Sequence, residues 1–98
     1  MKQLRFEWDE RKATVNRRKH GVSFEEARTA FFDDDALLRP DEEHSDDEDR
    51  FVLLGLSAQL RTLVVCHCYW QQVEVIRIIS ARKANSFERG QYEDRRMK

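Results

Sequence analysis

Ninety-eight residues, 40% of them hydrophobic, suffice for one domain with one modest core and leave no room for a second. No apolar run approaches the roughly 20 residues that span a bilayer, and Met1-Lys-Gln-Leu-Arg-Phe-Glu-Trp8 lacks the apolar stretch of a signal peptide, so a cytoplasmic protein with no membrane contact is expected. The net charge of -1 conceals a segregated chain: ten of the 19 acids but one of the 18 bases fall between residues 33 and 49, which leaves +8 elsewhere and predicts two opposite surfaces.

Phe6-Glu-Trp8 alternates as a short strand does. Asp9 is placed to cap a helix running to about His20, where Gly21 supplies a left-handed stop. Arg11, Lys12, Arg17, Arg18 and Lys19 outnumber the apolar Ala13 and Val15 in this helix, so it belongs on the surface. Ser23-Phe-Glu-Glu26 reads as a capping box, with Val22 and Ala27 spaced for a hydrophobic staple, and opens a second helix to about Phe32. Ala36 to Arg39 fit a short strand, and Pro40 with the acidic run to Asp49 a surface loop that is either merely solvated or set to dock a basic partner or screen a basic site.

From Phe51 the period changes to two. Phe51–Ser57, Leu60–Tyr69 and Val73–Ser80 are three β-rich runs, joined by connections short enough for hairpins, and they predict an antiparallel meander. Cys66 and Cys68 share a strand face, are badly placed to bond each other and have no Cys or His pair to complete a zinc site, so they read as small buried thiols. A last helix from Asn85 or Ser86 to Arg96 carries Glu88 and Tyr92 on one face. The order β-α-α-β-β-β-β-α implies an α+β domain whose antiparallel sheet has helices on one face and leaves the other available.

Cations collect where the last strand meets the last helix. Arg77 interrupts the otherwise apolar run Val73-Glu-Val-Ile-Arg-Ile-Ile-Ser80, and Arg82 and Lys83 crowd the following corner beside a helix amino end. Both features suit a bound phosphate group better than they suit folding, so an anionic ligand is expected.

The strings Phe6-Glu-Trp-Asp9, Lys19-His-Gly-Val-Ser-Phe-Glu-Glu-Ala27, His44-Ser-Asp-Asp-Glu-Asp-Arg50 and Ile78-Ile-Ser-Ala-Arg-Lys-Ala84, followed by Glu88-Arg89 and Tyr92, together resemble the BrnT family of toxins across nearly the whole chain. The resemblance implies a single RelE-like toxin domain over residues 1–98, acting as a ribonuclease in a type II toxin–antitoxin system. It also implies a BrnA-like antitoxin that is a ribbon-helix-helix dimer, a heterotetramer with it, and binding of operator DNA only through that complex. Where the family often has Pro after the first Trp-Asp and Gly before the central arginine, this chain has Glu10 and Leu60.

Metal-free cleavage requires the ribose 2′-hydroxyl to attack its own phosphate, with a proton acceptor, cationic support for the phosphorane and a donor to the leaving 5′-oxygen, and no cofactor. Arg61, Arg77, Arg82 and Lys83 are candidate phosphate partners, His67, His20 and His44 candidate proton carriers, and Glu88 and Tyr92 positioning or acid–base groups. Three guanidinium groups, those of Arg61, Arg77 and Arg82, are expected to converge over one exposed patch of sheet. Arg77 and Arg82 have opposite strand parity, so both reach one ligand only if the strand breaks near Ser80, or else Arg77 merely pairs with an acid such as Glu88 or Glu48. His67 is either catalytic or a hydrogen-bonded histidine inside the sheet. His44, Glu48 and Arg50 are placed to orient neighbours. Lys19 and His20 either cap the first helix or, with Arg17 and Arg18, contact RNA. Trp70 at a hairpin tip suits base stacking, core packing or antitoxin contact. The competing readings are a binding module without catalysis and a co-repressor that acts only through its partner.

Overall fold

The computed structural model describes residues 4–44, 49–70 and 72–98. Its elements are β1 (Arg5–Glu7), α1 (Glu10–His20), α2 (Phe24–Thr29) continued by a 3-10 turn at Ala30–Phe32, β2 (Leu37–Pro40), a 3-10 turn at Glu42–His44, β3 (Arg50–Leu56), β4 (Thr62–Trp70), β5 (Val75–Lys83) and α3 (Ser86–Arg96). Among the described residues no helix is long and apolar enough to cross a membrane.

Helix ends follow the capping chemistry of the sequence. The Asp9 carboxylate accepts from the N–H groups of Arg11 and Lys12, and Gly21, at φ +70°, donates its N–H to Arg17 O at 2.8 Å and stops α1. At α2 the expected box is half made: Ser23 Oγ accepts from Glu26 N, but the Glu26 carboxylate turns away to Arg61 and Ser57. The complete box is at α3, where Asn85 Oδ1 accepts from Glu88 N and the Glu88 carboxylate accepts from Asn85 N.

The five strands form one sheet in the order β1-β5-β4-β3-β2. The last four pair antiparallel as the meander predicts, but β1 runs parallel to β5, Phe6 opposite Ile76, so the sheet is mixed. One face lies under α1 and α2, and there Val22, Phe24, Ala27 and Ala30 pack on Leu53, Leu63, Val65, Ile76, Ile78 and Ala81. The opposite face also has a cover, which the sequence reading left open: Tyr92 of α3 and Ala84 pack on Leu54 and Val64, with Leu37, Val52 and Leu56 beside them. Helices therefore lie on both faces, and α3 protects only one end of its own.

One irregularity decides what the second face carries. Cys66 pairs with Ser80 but His67 with Ile78, so Ile79 is an extra, bulged residue. Ile76, Ile78 and Ala81 all enter the same core because the bulge reverses the alternation between Ile78 and Ala81. Arg77 before it and Ser80 and Arg82 after it consequently share the α3 side. The expected break near Ser80 does not occur: β5 continues to Lys83, and the bulge does what a break was expected to do.

Candidate functional site

The register builds three rows across the α3 side of the sheet. In the outermost, Glu7, Arg77, Cys68 and Arg50 are successive cross-strand neighbours, and Asp41 follows Arg50 with its N–H on Arg50 O at 2.8 Å. The middle row is Ser80, Cys66, Val52 and Arg39, and the third is Arg82, Val64, Leu54 and Leu37 at the foot of α3. Between them lies an open groove of about 330 Å³ lined by Asp41, Arg50, Val52, Val64, Cys66, Ile79, Ser80 and Arg82. Arg77 and Arg82 stand opposite Cys68 and Val64, four residues apart on β4, which is about 13 Å of strand.

Two of these cations, Arg82 and Arg77, are held by carboxylates. Arg82 donates Nη1 and Nη2 to the two carboxylate oxygens of Glu88 at 2.8 Å each, a fork-to-fork pair that holds the Glu88 carboxyl below its ordinary value and raises Arg82. Arg77 donates to Glu7 at 3.0 Å, so among the described residues the acid that answers it is on β1 and is not Glu88. Cys66 is half-buried with its Sγ 3.8 Å from the Asp41 carboxylate, and burial first, then that negative charge, pushes the thiol up, so it stays protonated at neutral pH. Cys68 is buried, and neither cysteine is in a disulfide.

Several candidate residues lie elsewhere. Arg61 does not converge with Arg77 and Arg82. On the α2 side its Nε donates to Glu26 Oε2 at 2.9 Å, its Nη2 donates to Glu26 Oε1 and to Gly21 O, and Ser57 Oγ donates to the same carboxylate at 2.7 Å. That cluster ties the β3–β4 hairpin to the turn between α1 and α2. His67 lies on the helix-covered face, 3% exposed, edge-on to the Phe31 ring at 4.7 Å between centroids and near Phe51. Its Nδ1 is 3.1 Å from Val65 O and must donate, since a carbonyl only accepts, and burial lowers its pKa. This is a neutral histidine inside the sheet, with the sheet between it and the arginine rows. Tyr92 is buried and donates its hydroxyl to Asp33 Oδ2 at 2.6 Å; burial, with that carboxylate's help, pushes its pKa far above the usual tyrosine value, so it holds its proton.

Lys83 is exposed at the end of β5, Arg17 and Arg18 are exposed on α1, and Lys19 and His20 line a separate groove beside α1. Arg50, expected to orient others, is a wall of the site itself. Glu48 and the side chain of His44 lie outside the described residues. Arg39, Glu7 and Asp41, and Cys66, expected only as a small buried thiol, were not among the candidate site residues, and sequence parity alone does not bring them together, because the β2–β3 and β1–β5 registers were not deducible. Asn16 was missed as well. Its buried amide accepts from Ala81 N at 3.1 Å and donates to Ala81 O at 2.8 Å and Val22 O at 3.0 Å, standing in for a strand along the β5 edge.

The arrangement offers guanidinium forks for phosphate oxygens, an ionised carboxylate bound to one of them, and an open groove beside them. A family model described as "Ribonuclease toxin, BrnT, of type II toxin-antitoxin system" matches residues 8–88. Among solved structures, the crystal structure of the Brucella abortus ribonuclease toxin BrnT is similar with a TM-score of 0.65 at 24% identity, covering 86% of this chain and 100% of that one. At this identity the likeness speaks for the fold. No curated protein matches the chain.

Proposed function

The chain belongs to the family of BrnT ribonuclease toxins of type II toxin–antitoxin systems, and from that premise we propose that it cuts RNA in the α3-side groove by a metal-independent transesterification. The 2′-oxygen attacks the adjacent phosphorus, the 5′-oxygen leaves, and the products are a 2′,3′-cyclic phosphate and a 5′-hydroxyl. In this scheme Arg82 and Arg50 hold the non-bridging oxygens as charge builds on the phosphorane, and Arg77 holds a flanking phosphate. Glu88, ionised and already oriented by Arg82, accepts the 2′-proton, and the leaving 5′-oxygen takes its proton from water in the open groove. The observation that carries the reading is the bidentate Arg82–Glu88 pair, whose arginine lines the open groove.

RNA incubated with the purified chain in EDTA should yield 5′-hydroxyl ends, and Arg82→Ala should abolish them while the protein stays folded. Cleavage that needs an added divalent ion would refute the metal-free scheme. No cleavage of free or ribosome-bound RNA would favour the second reading, a module that binds without catalysis. That second reading has its own support, because each of Arg61, Arg77 and Arg82 is already paired with a carboxylate and neither His67 nor Tyr92 reaches the groove.

The family's antitoxin partner is, in this reading, a BrnA-like ribbon-helix-helix protein that neutralises the toxin in a heterotetramer and represses the shared operon as that complex. Operator DNA should shift only when both proteins are present, and a shift by the isolated toxin would count against the assignment.

A further inference from the structure

A second groove, of about 340 Å³, runs between α1 and the bulge of β5. Two rows of α1 face it at helical spacing: Arg11, Val15 and Lys19 on one, Lys12, Asn16 and His20 on the other. No carboxylate lines it, and none of Arg11, Lys12, Lys19 and His20 forms a salt bridge with a described acid. Its wall is fixed, because Asn16 is bonded to both backbone groups of Ala81. Val15, 61% exposed, and Ile79 supply apolar surface for a ribose or base.

The bulge joins this groove to the cleavage site. Ile79 and Ser80 line both, so the two share a floor across the free edge of β5. The charge along the combined path is graded: Asp41 stands at the far end of the α3-side groove, Arg82 and Arg50 within it, and four basic or titratable side chains beyond the bulge. A polyanion threaded through the site is repelled at the Asp41 end and attracted at the α1 end.

We propose that the α1 groove is a second RNA subsite, which holds the phosphates of single-stranded nucleotides flanking the scissile bond. It rests on the reading of the α3-side groove as the cleavage site. Two phosphate contacts in single-stranded nucleic acid contribute a salt slope of roughly 1.4, equivalent to roughly tenfold or more in affinity at 0.1 M salt. The subsite therefore sets affinity for long substrates and leaves the chemical step to the other groove.

The test is fluorescence anisotropy of the full chain with a trinucleotide and a 12-mer, both fully 2′-O-methylated to prevent cleavage, comparing the wild type with Arg11→Gln/Lys12→Gln and with Arg82→Ala, together with steady-state cleavage of unmodified RNA. The α1 double variant should weaken the 12-mer roughly tenfold more than the trinucleotide, reduce its salt slope by roughly 1.4, and raise KM rather than lower kcat. Equal loss for both lengths, or no loss, overturns the proposal. So does tighter, lysine-dependent binding of duplex DNA, which would make α1 an operator contact. If RNA is never cut yet the length-selective loss appears, the subsite stands and the cleavage reading falls; if RNA is cut and the loss is absent, only the subsite falls.

Discussion

Glu88 closes two structures with one carboxylate: it takes the guanidinium fork of Arg82 at 2.8 Å per contact and the backbone N–H of Asn85 at 2.9 Å, so the cap of α3 also holds Arg82, a wall of the groove. A phosphate entering the groove must share Arg82 with it. Glu88→Gln should therefore bind non-cleavable RNA more tightly than the wild type, since a neutral amide competes less for the fork, and yet cut RNA roughly 100-fold more slowly if the carboxylate accepts the 2′-proton. Because the Arg82 hydrogen bond holds Glu88 below its ordinary 4.5, the acid limb of kcat/KM should lie below pH 4.5. A limb well above pH 5.5 would move the base to another group.

Arg61 is predicted to matter for stability. Its partner Glu26 is 4% exposed, and Arg61→Ala leaves that carboxylate with Ser57 alone. The loss should be about 2–3 kcal/mol by urea denaturation, at the low end for a broken buried pair because Arg61 itself is one-third open to water. Glu26 is held below 4.5, chiefly by the Arg61 hydrogen bond, so the pair stabilises fully above pH 4.5 and weakens as the pH falls below it. At a temperature where the variant remains folded, RNA cleavage should continue at the wild-type rate. Cleavage lost from a folded Arg61→Ala protein would restore the phosphate-binding role that the family resemblance implies.

Tyr92 anchors α3 through Asp33, whose carboxylate also receives Leu56 N at 2.8 Å and Asp35 N at 3.0 Å. Tyr92→Phe keeps the ring among Leu54, Val64 and Ala84 and should cost about 1–3 kcal/mol, the value of a hydrogen bond to a charged group. The wild type's raised tyrosine pKa means that the folded state favours the neutral phenol, so this stabilisation is complete below pH 10 and declines as the pH rises beyond it. The variant should lack that alkaline loss. An unchanged melting temperature together with abolished cleavage would identify the hydroxyl as part of the chemistry.

Local signals in the sequence were read well because their physics is local. Asp9, Gly21, Ser23 and Asn85 act within four residues of themselves, and the β-rich runs after Phe51 carry their own period. The site depends on relations that no local pattern encodes. The bulge at Ile79 involves a residue that would suit an ordinary strand equally well, and it alone puts Arg77 and Arg82 on one face. The parallel docking of β1, which supplies Glu7, required knowing that residues 5–7 and 75–77 meet. Leu60 is a related case. It sits at φ +63° in the turn before Arg61, the left-handed geometry glycine adopts without cost, so leucine at this position makes a strained turn.

His67 separates a structural histidine from a catalytic one by pH alone. Burial between Phe31 and Phe51 lowers its pKa below the ordinary 6.5, so the unfolded chain binds the proton more readily than the folded one. Its neutral form is fully compatible with folding above pH 6.5, and stability must fall as the pH drops below that value toward the lowered one. Between pH 7.5 and 5.5 this single group can withdraw up to about 1.4 kcal/mol. His67→Phe fills the aromatic slot without a titrating nitrogen, and chemical denaturation at the two pH values should show that part of the difference gone. Cleavage rates and their pH profile should be unmoved, because the ring packs on Phe31 and Phe51 and the arginine rows are on the reverse of the sheet. A hundredfold fall in kcat for His67→Phe, with the fold intact, would mean that RNA reaches the α2 side of the sheet and that the α3-side groove is not where the bond is cut.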